Sequence, residues 1–167
     1  SAQRNFALEQ TNADWVLYLD ADERLNDALI AEIKHIVASG KMDAQYAITR
    51  KSVAFGVTFS YGVLYPDHVL RMFPRESVTW VNKVHEHPEC QLPAKRLPGY
   101  IEHHTYKDWH EWEEKLCLYT TIWAEDAYKR GKRTSLPSIF MHALGGFFKM
   151  FVVRRGFLDG WIGSYLC

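Results

Sequence analysis

The chain has 167 residues, and its 20 basic and 20 acidic side chains cancel to a formal charge of zero with histidine neutral. That balance excludes general electrostatic capture of nucleic acid, which needs a basic surplus or stripe, and leaves room for a local phosphate site. Hydrophobic residues at 47% and charged residues at 24% exclude a disordered polyelectrolyte and fit one domain or a large piece of one.

Cys90, Cys117 and Cys167 are widely spaced and form neither a zinc pattern nor a disulfide framework, which fits a reducing, cytoplasmic setting. No uninterrupted apolar run reaches the roughly 18 residues of a membrane span, so a spanning helix is not expected. The opening SAQRNFALEQ lacks Met and is already helix-patterned, as in a processed product or a fragment.

In chain order, Ala2, Phe6 and Ala7 share one helical face before a turn-prone Thr11-Asn12-Ala13-Asp14. WVLYLD, residues 15–20, reads as a strand whose unbroken hydrophobicity suggests burial on both faces in a parallel sheet. After an acidic turn, Asn26 or Asp27 can cap a helix with Leu29, Ile33, Ile36 and Val37 on its apolar stripe, ended by Gly40. AQYAITRKSVAFG follows as a strand or hairpin, and VLRMFPRESVTWV as two short strands around Pro-Arg-Glu. The polar, proline-containing 82–100 stretch should be loop with short extended pieces, and YIEHHTYKD should return to the sheet. From Trp109 the pattern turns helical, with Trp112, Leu116, Tyr119, Trp123 and Ala127 in register. The expected class is therefore α/β, a mixed sheet flanked by helices with a C-terminal helical extension, divided at 1–108 and 109–167.

The sharpest local signal is DADE. Asp20 and Asp22 stand at the carboxyl end of a predicted strand, where α/β sheets collect ligands. An alternating pair of carboxylates in such a turn suits Mg²⁺ or Mn²⁺, which prefer oxygen ligands and keep contacts to substrate phosphates. A solvated acidic turn is the plain alternative.

The run AQRNFALEQTNADWVLYLDADERL resembles the middle of a family 2 glycosyltransferase of the GT-A fold. More narrowly it is similar to bacterial lipopolysaccharide or lipooligosaccharide core glucosyltransferases that add β-1,4-glucose to an inner-core heptose. The resemblance continues through RMFPR, KVHEHPE, IEHHTYKDW, EKLCLYT and the terminal RRGFLDGWIGSYLC, and so covers essentially the full chain. It implies a metal-dependent site in which Asp20 and Asp22 hold the diphosphate of a UDP-sugar through the cation, with Arg4 and Asn5 near the incoming nucleotide. It implies an acidic general base, for which Glu86 is the candidate ahead of Glu89. It also implies a histidine completing the cation site, with His103 favoured over His104. Family members begin with a strand–helix–strand segment that carries much of the uridine pocket. No such segment is recognisable here, so this piece alone is not expected to turn over substrate.

Arg71 and Arg75 flank MFP, and a guanidinium fork there can hold phosphate or a sugar hydroxyl. Arg71 is the better candidate, since Arg75 has Glu76 beside it. His85 and His87 are placed to contact an acceptor or simply to pack. Trp80, Trp109 and Trp112 can stack on a sugar or on other aromatics. Lys149, Arg154 and Arg155 beside Phe147, Phe148, Phe151, Phe157 and Trp161 suit peripheral contact with the cytoplasmic face of the inner membrane, with a homo-oligomer interface as the alternative.

The expected function is inverting transfer of a hexose from a nucleotide-sugar donor to a lipid-linked core oligosaccharide. Another polysaccharide or lipid-linked acceptor, or a non-catalytic binding or scaffold fragment, competes with it.

Overall fold

The computed structural model describes residues 2–81 and 86–167. The chain divides into two compact units, 1–50 with 67–103 and 51–66 with 104–167. The fold is α/β, with a helix-flanked sheet and a C-terminal helical stretch, as the sequence predicts. The two units interleave in sequence, where the composition suggested one break near residue 108.

In the first unit, α1 (Ala2–Glu9) precedes β1 (Trp15–Leu17) and β2 (Glu23–Leu25), and α2 (Asp27–Ser39) follows. The sheet continues through β3 (Gln45–Ala54), β5 (Asp67–Pro74) and β8 (Ala94–Tyr106), in the order β1-β5-β3-β8-β2. β6 (Thr79–Val81) and β7 (His87–Glu89) form a separate antiparallel pair.

β1 differs from expectation. It pairs antiparallel with β5, Val16 opposite Phe73, and its residues are only partly buried. Its apolar run serves several partners rather than two flanking parallel strands. Trp15 tilts on Tyr46 at 5.8 Å, and Tyr18 meets Phe73 and Trp80 edge-on at 6.2 and 4.8 Å. The stretch read as an acidic turn is partly strand, since Glu23–Leu25 pairs antiparallel with His103–Ile101.

α2 starts where Asn26 accepts the Leu29 N–H at 3.0 Å and stops at Gly40, whose φ of 66° is the left-handed cap. The same Asn26 oxygen accepts the Tyr100 N–H at 3.3 Å, so the cap also fastens the helix to β8. A Cβ on Gly99 would lie 2.6 Å from Leu29 Cα, a closeness only glycine permits. Leu29, Ile48, Met72 and Ile101 are fully or almost fully buried and centre the core. Burial on that scale stabilises by about 1.5–3 kcal/mol per large side chain.

In the second unit, the residues Phe55-Gly56 take φ of 53° and 75° and turn β3 into β4 (Val57–Thr58), a tight two-residue hairpin. α3 (Trp109–Lys129), α4 (Leu136–Phe148) and α5 (Gly160–Leu166) follow, with a π-helical continuation of α4 over Lys149–Val153. Phe55 stacks on Trp109 at 4.0 Å, and Trp109 touches Trp161 and Tyr165.

The terminal RRGFLDGWIGSYLC is built for close approach. A Cβ on Gly156 would fall 2.3 Å from Cys167 Sγ, and one on Gly163 would fall 2.5 Å from the Gly156 carbonyl oxygen. The Asp159 carboxylate accepts the Ser60 and Tyr61 N–H groups, the latter at 2.7 Å. Burial pushes the Cys167 thiol up, away from reactive thiolate character.

Leu136–Val153 is a continuous helical stretch of 18 residues with mean hydropathy 1.5, long and apolar enough to cross a membrane by length and composition. Ser138, His142 and Lys149 interrupt its apolar run without interrupting the helix.

Candidate active site

The site grows from the turn between β1 and β2. The Glu23 N–H donates to the Asp20 carbonyl at 3.0 Å, and the Asp20 N–H donates back to Glu23 Oε2 at 3.0 Å. This reciprocal pair fixes the turn as a helix capping box fixes a helix start. Glu23 is fully buried, and period-two alternation in β2 turns it inward with Leu25.

A buried carboxylate needs compensation, and two arginines supply it. Arg71, brought alongside by the β1–β5 pairing, donates through Nη2 to Glu23 Oε1 at 2.6 Å and to Asp20 Oδ2 at 2.7 Å. Arg50 on β3 reaches Glu23 Oε1 at 3.6 Å and forms a two-pronged pair with Asp67 at 3.0 and 2.7 Å. The bond to Asp67 outweighs burial and holds the Arg50 guanidinium above its ordinary value. Arg71 Nε is buried with no hydrogen-bond partner among the described residues, so this guanidinium has an unused donor.

Asp20 is held on its other side by Arg4, whose Nη2 donates to Oδ1 at 3.2 Å. Burial opposes ionisation of Asp20, but the Arg71 hydrogen bond and charge, with Arg4 and Arg50, prevail and hold the carboxyl below its ordinary range. Arg4 also lies over the Trp80 ring at 4.2 Å and within 3.7 Å of Glu86 Oε2. One guanidinium thus links the first DxD carboxylate to the candidate base.

Asp22 points elsewhere. Its Oδ2 lies 3.1 Å from His103 Nε2, and about half of its side chain is exposed. The β2–β8 register produces the pairing, because His103 sits opposite Glu23, one position from Asp22. Of the two adjacent histidines, the structure therefore brings His103 to the DxD turn. Among the described residues no group of three His, Cys, Asp or Glu side chains converges as a ready metal cage.

Arg4, Arg71, Trp80 and Glu86, with His68 and Pro88, line one cavity of about 340 Å³. Asn5 lies beside it but spends its amide on the Trp80 backbone, donating to the carbonyl at 2.8 Å and accepting the N–H at 2.9 Å. It positions β6, and Trp80 in turn supports Arg4. Arg75 is not part of the site, for it pairs with Glu76 and the Leu8 carbonyl. Trp109 and Trp112 pack on aromatic neighbours in the second unit. His85 lies outside the described residues.

The sequence reading gave no role to Glu23, Arg50 or Asp67. The signal for Glu23 was present, as an acid at an inward position of a short strand. Nothing local marked Arg50 and Asp67, whose pairing depends on the β3–β5 register, Arg50 opposite Asp67.

No protein-family model matches the chain. It is similar to an uncharacterized glycosyltransferase of Rickettsia typhi, at 25% identity over 96% of this chain and 59% of the relative. A second, from Rickettsia conorii, is 25% identical over 98% of this chain and 64% of its own length. The lipopolysaccharide core biosynthesis glycosyltransferase LpsC of Rhizobium meliloti is 28% identical over 80% of this chain and 50% of its own. The chain spans between half and two thirds of the length of these relatives. It has glycosyltransferases by name as its relatives, and one of them is named for lipopolysaccharide core biosynthesis.

Proposed function

We propose that the chain carries the diphosphate and acceptor side of an inverting, metal-dependent glycosyltransferase of family 2 and GT-A type. The donor in this reading is a UDP-hexose, with glucose as the sugar. The acceptor is a lipid-linked lipopolysaccharide core oligosaccharide, and the linkage is β-1,4. The observation that carries it is the split fate of the two DxD carboxylates. Asp20 is locked to Arg71 and Arg4, while Asp22 stays partly exposed beside His103.

Asp22 and His103 offer one oxygen and one nitrogen donor in contact, a set that fits Mg²⁺ or Mn²⁺ with positions left for phosphate oxygens. Bound there, the ion would neutralise charge on the diphosphate as its bond to the sugar breaks. Buried Glu23 holds Arg71 and the turn, so that Asp22 is presented without entropy lost at the moment of binding. Arg4, which lines the cavity with Arg71, offers guanidinium donors to phosphate oxygens.

Glu86 takes the proton of the acceptor hydroxyl as that oxygen attacks the anomeric carbon. The new carbon–oxygen bond forms on the face opposite the departing nucleoside diphosphate, and the anomeric configuration inverts. Arg4 orients Glu86 in the resting site. Replacing Glu86 by Gln in the full gene product is expected to lower kcat by about 10²–10⁴-fold, with donor affinity retained. Undiminished turnover in Glu86→Gln would remove Glu86 from this role.

A further inference from the structure

The chain is neutral overall, yet between Ala127 and Leu158 it has no carboxylate and seven basic residues. Four lie in the KRGKR of 129–133, ahead of α4, and Lys149, Arg154 and Arg155 follow at its far end. Among the described residues, only Lys129 of these seven comes within ion-pair distance of a carboxylate, Glu125 at 4.0 Å. Between the basic clusters, neither α4 nor its π-helical continuation has a buried residue.

Ser138, His142, Gly145 and Lys149 recur at helical spacing and make one narrow polar or small-residue stripe. The remaining circumference is apolar, with Phe140, Met141 and Leu144 each more than 60% exposed. A surface of this kind is costly in water and matches a lipid interface, where apolar side chains enter the acyl boundary and basic ones meet anionic headgroups.

Length alone does not separate lying in the membrane from crossing it, since 18 helical residues reach about 27 Å against a hydrocarbon core of about 30 Å. The chain path does separate them. Trp109, where α3 begins, touches Trp161 and Tyr165. The chain leaving the π-helix is tied back where the Gly62 N–H donates to the Arg154 carbonyl at 3.0 Å. For α4 to cross, α3 would have to cross as well. It cannot do so, because it carries Glu111, Glu113, Glu114, Lys115, Glu125, Asp126 and Lys129. Both ends of α4 are basic, which places both on the same anionic side.

We propose that Leu136–Val153 lies flat in the surface of an anionic lipid leaflet, held by its apolar arc and by the basic clusters at both ends, with Lys149 reaching up to the headgroups.

Flotation of the purified chain with vesicles of phosphatidylcholine, with and without phosphatidylglycerol, tests this. The expected result is flotation with the anionic vesicles, weakened by salt, and release by alkaline carbonate. Lys132→Gln with Arg133→Gln should weaken partition about twenty-five-fold, at about five-fold per charge. Phe140→Asp with Leu144→Asp, both at exposed positions, should abolish flotation without changing the circular dichroism spectrum, whereas His142→Ser should float normally. A folded chain that stays unbound, or binds neutral vesicles equally, overturns the proposal. Retention after carbonate extraction overturns the in-plane placement. An unbound dimer made monomeric by the Phe140/Leu144 double variant assigns the face to a second copy instead.

Discussion

At the scale of the residue, the centre of gravity of the site is Glu23 rather than either aspartate of the DxD pair. Removing Glu23 takes from Arg71 its buried partner and leaves it only the partly exposed Asp20. Glu23→Ala should therefore lower unfolding free energy, by less than the ~3–5 kcal/mol of a fully stranded charge. Glu23→Gln, which keeps volume and one acceptor, should cost less. Urea denaturation checks both, and a loss under about 1 kcal/mol for the alanine variant would contradict a compensated buried carboxylate. Asp20 gives a pH signature. Its folded value lies below its unfolded one, so its contribution is fully present above the ordinary carboxylate value and is lost as pH falls through the depressed folded value. The acid limb of stability, below about pH 4, should therefore flatten in Asp20→Asn. An unchanged acid limb would mean that Arg71 does not stabilise the ionised form.

At the scale of the element, the legible features were those set by local chemistry. The Asn26 cap, the Gly40 stop, the two strands flanking Pro-Arg-Glu and the long helix from Trp109 all follow from residues adjacent in sequence. What was not legible depends on register between distant strands. The antiparallel setting of β1, the facing of Asp22 by His103 and the Arg50–Asp67 pair are examples. The close approach at Gly99 belongs here too. Gly99→Ala forces a Cβ into Leu29 and should cost about 1–3 kcal/mol, as overpacking does. In the second unit, Asp159→Ala should cost about 1–3 kcal/mol, because it leaves the Ser60 and Tyr61 N–H groups without their acceptor. Amide hydrogen exchange at Ser60 and Tyr61 should accelerate in that variant. Unchanged protection there would show that the carboxylate does not hold the segment.

At the scale of the whole molecule, charge and hydrophobicity are segregated rather than mixed. A zero net charge conceals a basic, apolar helical stretch and, elsewhere, a carboxylate–guanidinium network around the DxD turn. The composition argues against general nucleic-acid capture, but an average could not show that seven lysines and arginines gather around one exposed helix. Similarity to glycosyltransferases covers nearly the whole chain and only part of each relative, so binding is a more direct test than turnover.

The central claim is that Asp22 and His103 hold a cation for a nucleoside diphosphate. Calorimetry of UDP binding to this chain, with and without Mn²⁺, tests it most directly. The account predicts binding that requires Mn²⁺, falls at least about tenfold in Asp22→Ala and in His103→Ala, and is unchanged in Asp27→Ala at the exposed start of α2. Binding that ignores the metal, or its absence in a folded chain, would contradict it.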